Sequence, residues 1–245
     1  MRQFGLIGYP LSHSFSKKYF TEKFEKEGLK DCVYDNYPIA SIDDLTEMLE
    51  GNPLLEGFNI TIPYKEQVLS FLSEESDVVK NIKACNCIKI KAGRLIGYNT
   101  DVTGFEVSLK AKLLPHHTRA LILGTGGAAK AVEYVLRKLN IHHRYVSRNA
   151  LAGNLSYRDV TPELLKEYTL IINTTPLGMY PNVHETPPIP YNNLSRHHYL
   201  FDLVYNPEKT LFLQKGEEHG AVIKNGQDML VIQADESWRI WNDTN

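Results

Sequence analysis

Apolar residues along the chain fall into short runs, separated by stretches in which they return at helical spacing. "FGLIGY" predicts a first strand, and Ser16 then stands where it would cap a helix carrying Tyr19, Phe20 and Phe24 on one face, closed by Gly28. "CVYDNYPI" predicts a second strand, and Ser41 with Asp44 three residues on marks the start of a second helix over "IDDLTEMLE". In "GFNITIPYKEQ" Ile60 and Ile62 alternate with Asn59 and Thr61, a half-buried strand that Pro63 ends before a third helix. "CIKIKAGRLIGY" has the form of a hairpin turning at Ala92-Gly93, and a helix from about Val102 to Leu113 leads into a Pro-His-His-Thr segment, the best linker in the chain.

The alternation then restarts. "RALILG" predicts a strand, "TGGAAKAVEYVLRKL" an alanine-rich helix, and "HHRYVS", "TLIINTT", "YLFDLVY" and "AVIKNG" further strands. Short helices fall near "PELLKEY" and over "TLFLQKGEEHG", and a proline-rich loop runs from Pro176 to Pro190. A last helix carries Met229, Leu230, Ile232, Trp238 and Trp241. Strand and helix taken in turn predict an α/β protein of two units with parallel sheets.

Composition changes this picture little. With 245 residues, 42% hydrophobic and 23% charged, the chain is long enough for one or two packed domains. A net charge of −2 without long single-sign runs gives no reason to expect nucleic acid or an anionic membrane as a partner. No apolar run has the length of a membrane span, and "MRQFGLIGYP" is too soon broken for a signal peptide, so a cytoplasmic protein is expected. Cys32, Cys85 and Cys87 are an odd count that suits reduced thiols, and the histidine doublets put neighbours on different faces, so no metal site is expected.

Two motifs carry candidate chemistry. "LILGTGGAAKA" follows a buried strand and opens a helix, the setting in which a glycine turn binds a dinucleotide pyrophosphate. Gly124 permits the sharp turn and Gly126 lets backbone amides approach the anion. The next strand ends in Ser147 and Arg148 rather than in an acid, which favours a 2′-phosphate and hence NADP. The second motif is Lys65, which follows a strand end where α/β sheets bind ligands. Asp101, in "YNTD" beyond another strand, could share a hydrogen bond with it and exchange a proton with a hydroxyl or carbonyl. Spacing alone leaves open an ordinary surface ion pair. Ser14, Ser16, Thr61 and Asn86 add hydroxyls and an amide suited to a small polyhydroxylated or carboxylated ligand.

Taken in order, "GYPLSHSFS", "GFNITIPYKE", "ACNCIKIKAGRLIGYNTDVTGF", "LILGTGGAAKA", "INTTPLGMYP", "FDLVYNPEKT" and "NGQDMLVIQADESW" resemble the signature segments of the shikimate dehydrogenase family across nearly the whole chain. The resemblance implies NADP(H)-dependent reduction of 3-dehydroshikimate to shikimate, a step of aromatic amino-acid biosynthesis. It implies an N-terminal substrate domain over residues 1–101, completed by a helix over 227–245, and a Rossmann-type domain over 102–226.

By position, Lys65 and Asp101 match the family's proton-transferring pair, and Ser14 and Ser16 the hydroxyls that hold a carboxylate. Thr61, Asn86, Gln233 and Tyr205 match substrate-contacting residues. Gly124, Thr125, Gly126, Gly127 and Ala128 match the pyrophosphate turn, Ser147 and Arg148 the adenosine-phosphate clamp, and Leu203 and Gly226 the nicotinamide side. The resemblance also implies a monomer or homodimer.

Departures from the family pattern are Lys17 for a proline, "ACNC" for Ala-Val-Asn-Thr, Gln227-Asp228 for Leu-Gly, and a short segment after Arg148. Rival readings are a quinate-type enzyme using NAD, a non-catalytic sensor of shikimate-like ligands and NADP, and a folate-type dehydrogenase.

Overall fold

The computed structural model describes residues 1–11, 15–148 and 153–243. They divide into two compact units, Met1–Thr103 with Gln233–Asn245, and Gly104–Ile232.

The first unit contains β1 (Arg2–Gly8), α1 (Phe15–Glu27), β2 (Cys32–Pro38), α2 (Leu45–Glu50), β3 (Leu55–Ile60), β4 (Glu74–Glu75), α3 (Asp77–Ile82), β5 (Cys87–Lys91) and β6 (Arg94–Tyr98). It also takes the first residues of α4 (Thr100–Lys110). Its sheet runs β2-β1-β3-β5-β6-β4 and is mixed: β1, β2 and β3 are parallel, whereas β5 pairs antiparallel with both β3 and β6. The β5–β6 hairpin requires two left-handed residues, and Ala92 and Gly93 supply them at φ 52° and 75°.

Several expectations fail here, each for a local reason. β3 stops at Ile60, and Asn59 and Ile60 are both buried, because both faces of the strand are covered: Ile60 packs in the cluster with Phe58 and Val68, and Asn59 bonds Tyr34 and Ser237. Ile62 lies beyond it, exposed. No third α-helix follows Pro63; the chain makes turns and a 3₁₀ segment, Gln67–Phe71, and then the unforeseen β4 and α3. Ser16 is the second residue of α1, not its cap. Ser41 does close a capping box with Asp44, but on a 3₁₀ turn, Ile42–Asp44, ahead of α2.

The second unit contains β7 (Arg119–Leu123), α5 (Gly127–Lys138), β8 (His142–Ser147), β9 (Leu155–Ser156), α6 (Pro162–Glu167), β10 (Leu170–Asn173), β11 (Tyr199–Asp202), α7 (Leu211–Glu218) and β12 (Val222–Lys224). All strand pairs are parallel, in the order β12-β11-β10-β7-β8-β9. Counted from β7 this is the 6-5-4-1-2-3 order of a dinucleotide-binding sheet, with its reversal between β7 and β10. Leu121, Ile171 and Leu200 of the central strands pack against Leu165 and Phe212 of the covering helices.

The linker expectation is overturned. The units divide inside two helices, after Thr103 in α4 and after Ile232 in α8 (Gln227–Asn242), and the Pro-His-His-Thr segment lies within the second unit. There His117 is buried and accepts the Leu114 amide at 3.0 Å through Nδ1. The last turns of α8 belong to the first unit's core. Trp241 packs on Phe4 and Phe20 and donates from Nε1 to the Ile88 carbonyl at 3.0 Å. Gly57 leaves room for it, since a Cβ there would come within 2.4 Å of the indole.

Candidate active site

In the first unit, Lys65 Nζ donates to Asp101 Oδ2 at 2.6 Å, with the two side chains only 20% and 11% exposed. The sequence expectation put Asp101 beside a strand end. It does follow the end of β6, and it stands in the first turn of α4, where the helix dipole favours a carboxylate. Asn99 fixes that helix start by accepting the Val102 amide at 3.3 Å and donating to the Ala84 carbonyl at 2.9 Å. Lys65 is tied to the same region through its carbonyl, which accepts the Cys85 amide at 2.8 Å.

Asn86, next along from Cys85, is buried. Thr100 binds both ends of its amide: the Thr100 backbone N–H donates to Oδ1 at 2.6 Å, and the Asn86 Nδ2 donates to the Thr100 hydroxyl at 3.0 Å. That hydroxyl also lies 3.3 Å from Gln233 Oε1 and 3.3 Å from Ser237 Oγ, both on α8. Thr100 thereby links Asn86 with Gln233, and the next residue, Asp101, holds Lys65.

Thr61 follows β3, its amide donating to the Ile7 carbonyl at 2.9 Å and its methyl lying against Gly8. The Ser16 hydroxyl bonds the buried Tyr34 phenol, which in turn donates to Asn59 Oδ1 at 3.0 Å. Burial holds that phenol well above the usual tyrosine range. Ser14 lies outside the described residues. Tyr205 belongs to the second unit, unlike the other described residues expected to contact substrate.

The departures find local partners. Lys17 pairs with Asp35 at 2.7 Å, Asp228 pairs with Lys224, and all three cysteines are free and buried. Burial pushes the Cys85 thiol up to about 12, so it is protonated and unreactive at neutral pH. Among the described residues no group of three or more His, Cys, Asp or Glu could hold a metal ion, and no helix is long and apolar enough to cross a membrane.

In the second unit the glycine turn follows β7. Gly124 has φ 107°, and a Cβ there would lie 2.8 Å from Thr174 Oγ1 and 2.9 Å from Thr175 Cγ2, so both conformation and space demand glycine. Thr174 directly follows β10, which puts this contact at the reversal of strand order. Gly126 and Gly127 are different. Neither has positive φ, and a Cβ on either would meet nothing within 4 Å.

Gly126 caps α5 without a side-chain hydrogen bond, so the first amides of that helix point out beside an open glycine surface. This is the shape and polarity a pyrophosphate needs. Thr125 and Gly126 are exposed and Ala128 is half-buried. Ser147 ends β8 and Arg148 follows it, exposed. These residues fit a dinucleotide phosphorylated on its adenosine ribose.

Sequence reasoning missed the groups that hold the ends of β10 and β11. Asp202, wholly buried, accepts from Asn173 Nδ2 at 3.0 Å, from the Val204 amide at 3.0 Å, and from the Thr210 hydroxyl that caps α7. Burial raises its pKa to about 7 against these donors. Leu203 leaves this junction with its backbone against Gly226, where a Cβ would come within 2.2 Å of the Leu203 carbonyl oxygen.

Comparison with known proteins decides the family. Residues 6–88 match the model of the shikimate dehydrogenase substrate binding domain. The shikimate dehydrogenase (NADP(+)) of Caldicellulosiruptor saccharolyticus is 37% identical over 99% of this chain and 93% of its own length. The chain belongs to the shikimate dehydrogenase family.

Among solved structures, the Thermus thermophilus shikimate 5-dehydrogenase in complex with NADP(H) and shikimate is 31% identical. It covers 99% of this chain and 94% of its own, with a TM-score of 0.86. The ligand-free 5-ketofructose reductase of a Gluconobacter strain is also similar, at 27% identity and TM-score 0.85 over 98% of this chain and 92% of its own. Chains of this fold thus carry more than one named activity.

Proposed function

We propose that this member of the family catalyses the reversible NADPH-dependent reduction of 3-dehydroshikimate to shikimate, in aromatic amino-acid biosynthesis. The observation that carries the reading is the Lys65–Asp101 pair, 2.6 Å apart and largely buried, with Asp101 next in sequence to Thr100, which bonds Asn86 and lies 3.3 Å from Gln233.

Lys65 holds a proton on Nζ and delivers it to the ketone oxygen as charge develops there; in the reverse direction it takes the hydroxyl proton. Asp101 keeps the ammonium in place and balances its charge. Asn86, Gln233, Thr61 and Tyr205 bond the ring oxygens, and Ser14 and Ser16 the substrate carboxylate. NADPH, when bound, supplies the hydride.

On this reading residues 1–101 with 227–245 serve the substrate and 102–226 the cofactor. The turn from Gly124 through Thr125, Gly126 and Gly127 to Ala128 holds its pyrophosphate, Ser147 and Arg148 its 2′-phosphate, and Leu203 and Gly226 its nicotinamide side. Three free cysteines support a reducing, cytoplasmic setting. The expected state is a monomer or homodimer.

The experiment is a spectrophotometric assay of NADPH and NADH oxidation with 3-dehydroshikimate, 3-dehydroquinate and 5-ketofructose. The expected result is the highest kcat/KM for NADPH with 3-dehydroshikimate. A higher value for 3-dehydroquinate or 5-ketofructose would assign another substrate. Binding of NADPH and shikimate without turnover of any pair would make the protein a sensor.

A further inference from the structure

Asp202 is a wholly buried acid that the reaction does not use, and among the described residues no cation pairs with it. Its three partners are neutral and come from three segments. The Asn173 side chain at the end of β10 and the Val204 amide both donate to Oδ1 at 3.0 Å, and the Thr210 hydroxyl at the start of α7 donates to Oδ2. A place that only had to be filled would be better served by an apolar side chain, since burying a carboxylate is costly. What the acid adds is a fixed point with several acceptor positions.

Each partner in turn holds a loop at the carboxyl edge of the sheet, where ligands of such sheets bind. Asn173 Oδ1 accepts the Thr175 amide at 3.1 Å and the Thr175 hydroxyl at 2.6 Å, and the Thr175 methyl is what a Cβ on Gly124 would meet at 2.9 Å. The Asn173 carbonyl accepts the Leu203 amide at 3.0 Å, and the Val204 carbonyl accepts the Gly226 amide at 3.2 Å. The Leu203 backbone is therefore held on both sides, by Asn173 through its own amide and by Asp202 through the next. Asp202 and Val204 are buried, whereas Leu203 between them is partly exposed. One carboxylate thus ties Leu203 to the loop that lies against the Gly124 turn.

We propose that Asp202 is a positioning residue for the cofactor: it holds the loops after β10 and β11 in the one arrangement that sets Leu203 against the nicotinamide half of the bound dinucleotide. This rests on the reading of the second unit as the cofactor site, with Leu203 on its nicotinamide side. Asp202, being buried, acts only through Asn173 and Val204.

The test compares two ligands by isothermal titration calorimetry: NADPH, and adenosine 2′,5′-bisphosphate, which has the adenosine half of NADPH and no nicotinamide. Asp202→Ala should weaken NADPH about three- to ten-fold, the effect of one lost contact, and leave adenosine 2′,5′-bisphosphate within about two-fold of the parent. Asp202→Asn keeps the oxygen that Asn173 and Val204 share, and should bring NADPH back to within about two-fold. A purely structural role predicts the same factor for both ligands, or no change in either. Both results overturn the proposal, as does a loss in Asp202→Asn as large as that in Asp202→Ala.

Should Asp202→Ala fail to fold, Asn173→Ala takes its place, with the same contrast expected between the two ligands. It cuts the tie to β10 and Thr175 and leaves Asp202 its other two donors. A parent protein that binds neither ligand would instead refute the cofactor reading of the second unit, and the proposal with it. An unchanged NADPH affinity in Leu203→Ala would refute the place given to Leu203, with the same consequence.

Discussion

The two candidate sites, one in each unit, are built from different materials. In the first unit the site is a set of side chains, each held by another: Tyr34 on Asn59, Asn59 on Ser237, Thr100 on Asn86, Lys65 on Asp101. In the second unit it is backbone, a glycine turn whose helix amides face open space at Gly126 and Gly127. A pyrophosphate is recognised by amides that almost any sequence supplies once the turn is right. A polyhydroxylated ring has to be met oxygen by oxygen, and every group that meets it must first be oriented in a low-dielectric interior. Side-chain losses should therefore act on turnover and substrate KM, and losses at the glycine turn on the cofactor.

The largest expected effect is at Lys65. Lys65→Ala should lower kcat roughly 10²–10⁴-fold, the span of acid–base catalysis, with a smaller change in substrate KM. Near-full turnover would remove the lysine from the chemistry.

Next comes a contrast within the glycine turn. Gly124→Ala forces a side chain onto φ 107° and into Thr174, so it should cost about 1–3 kcal/mol of stability, read as a lower Tm. Gly126→Ala meets no protein atom and should hold stability within about 0.5 kcal/mol, while raising KM for NADPH several-fold. Equal Tm losses for the two variants would show that both glycines serve packing only.

The smallest effect concerns Asp202. Its folded pKa of about 7 exceeds the ordinary 3.8, so between those values the native state keeps a proton that the unfolded chain has lost. Its contribution to stability falls as pH rises through that window. Burial depresses the His117 pKa to about 4 from 6.5, which gives the opposite slope: stability is lost as pH falls from 6.5. The two partly cancel in the parent protein. Asp202→Asn removes one of them, so the Tm of the variant minus that of the parent should climb between about pH 4 and pH 7. A flat difference would mean that Asp202 stays ionised throughout.

What the sequence disclosed followed from local sterics. The hairpin at Ala92-Gly93, the turn at Gly124 and the helix end at Gly28 each need positive φ at one or two residues, and composition betrays that need. The third helix failed because amphipathic spacing after Pro63 has no means of showing that the chain turns into a 3₁₀ segment. The Pro-His-His-Thr segment failed as the linker because both crossings lie inside continuous helices, where no proline or glycine cluster marks them. Spacing alone could not bring Lys65 and Asp101 together from 36 residues apart, though the family resemblance paired them, and Asn59 meets Ser237 across 178. Contacts of that separation belong to the fold and leave no mark in local pattern; only the i, i+4 spacing of Gln233 and Ser237 on α8 offered a signal.

Lys65 and Asp101 act as one unit in the proposed mechanism, and the most direct measurement is kcat for Lys65→Ala, Asp101→Asn and the double variant with NADPH and 3-dehydroshikimate. If the carboxylate works only by holding the ammonium, the double variant should turn over no more slowly than Lys65→Ala alone. Losses that multiply would give the two residues independent roles and contradict the account.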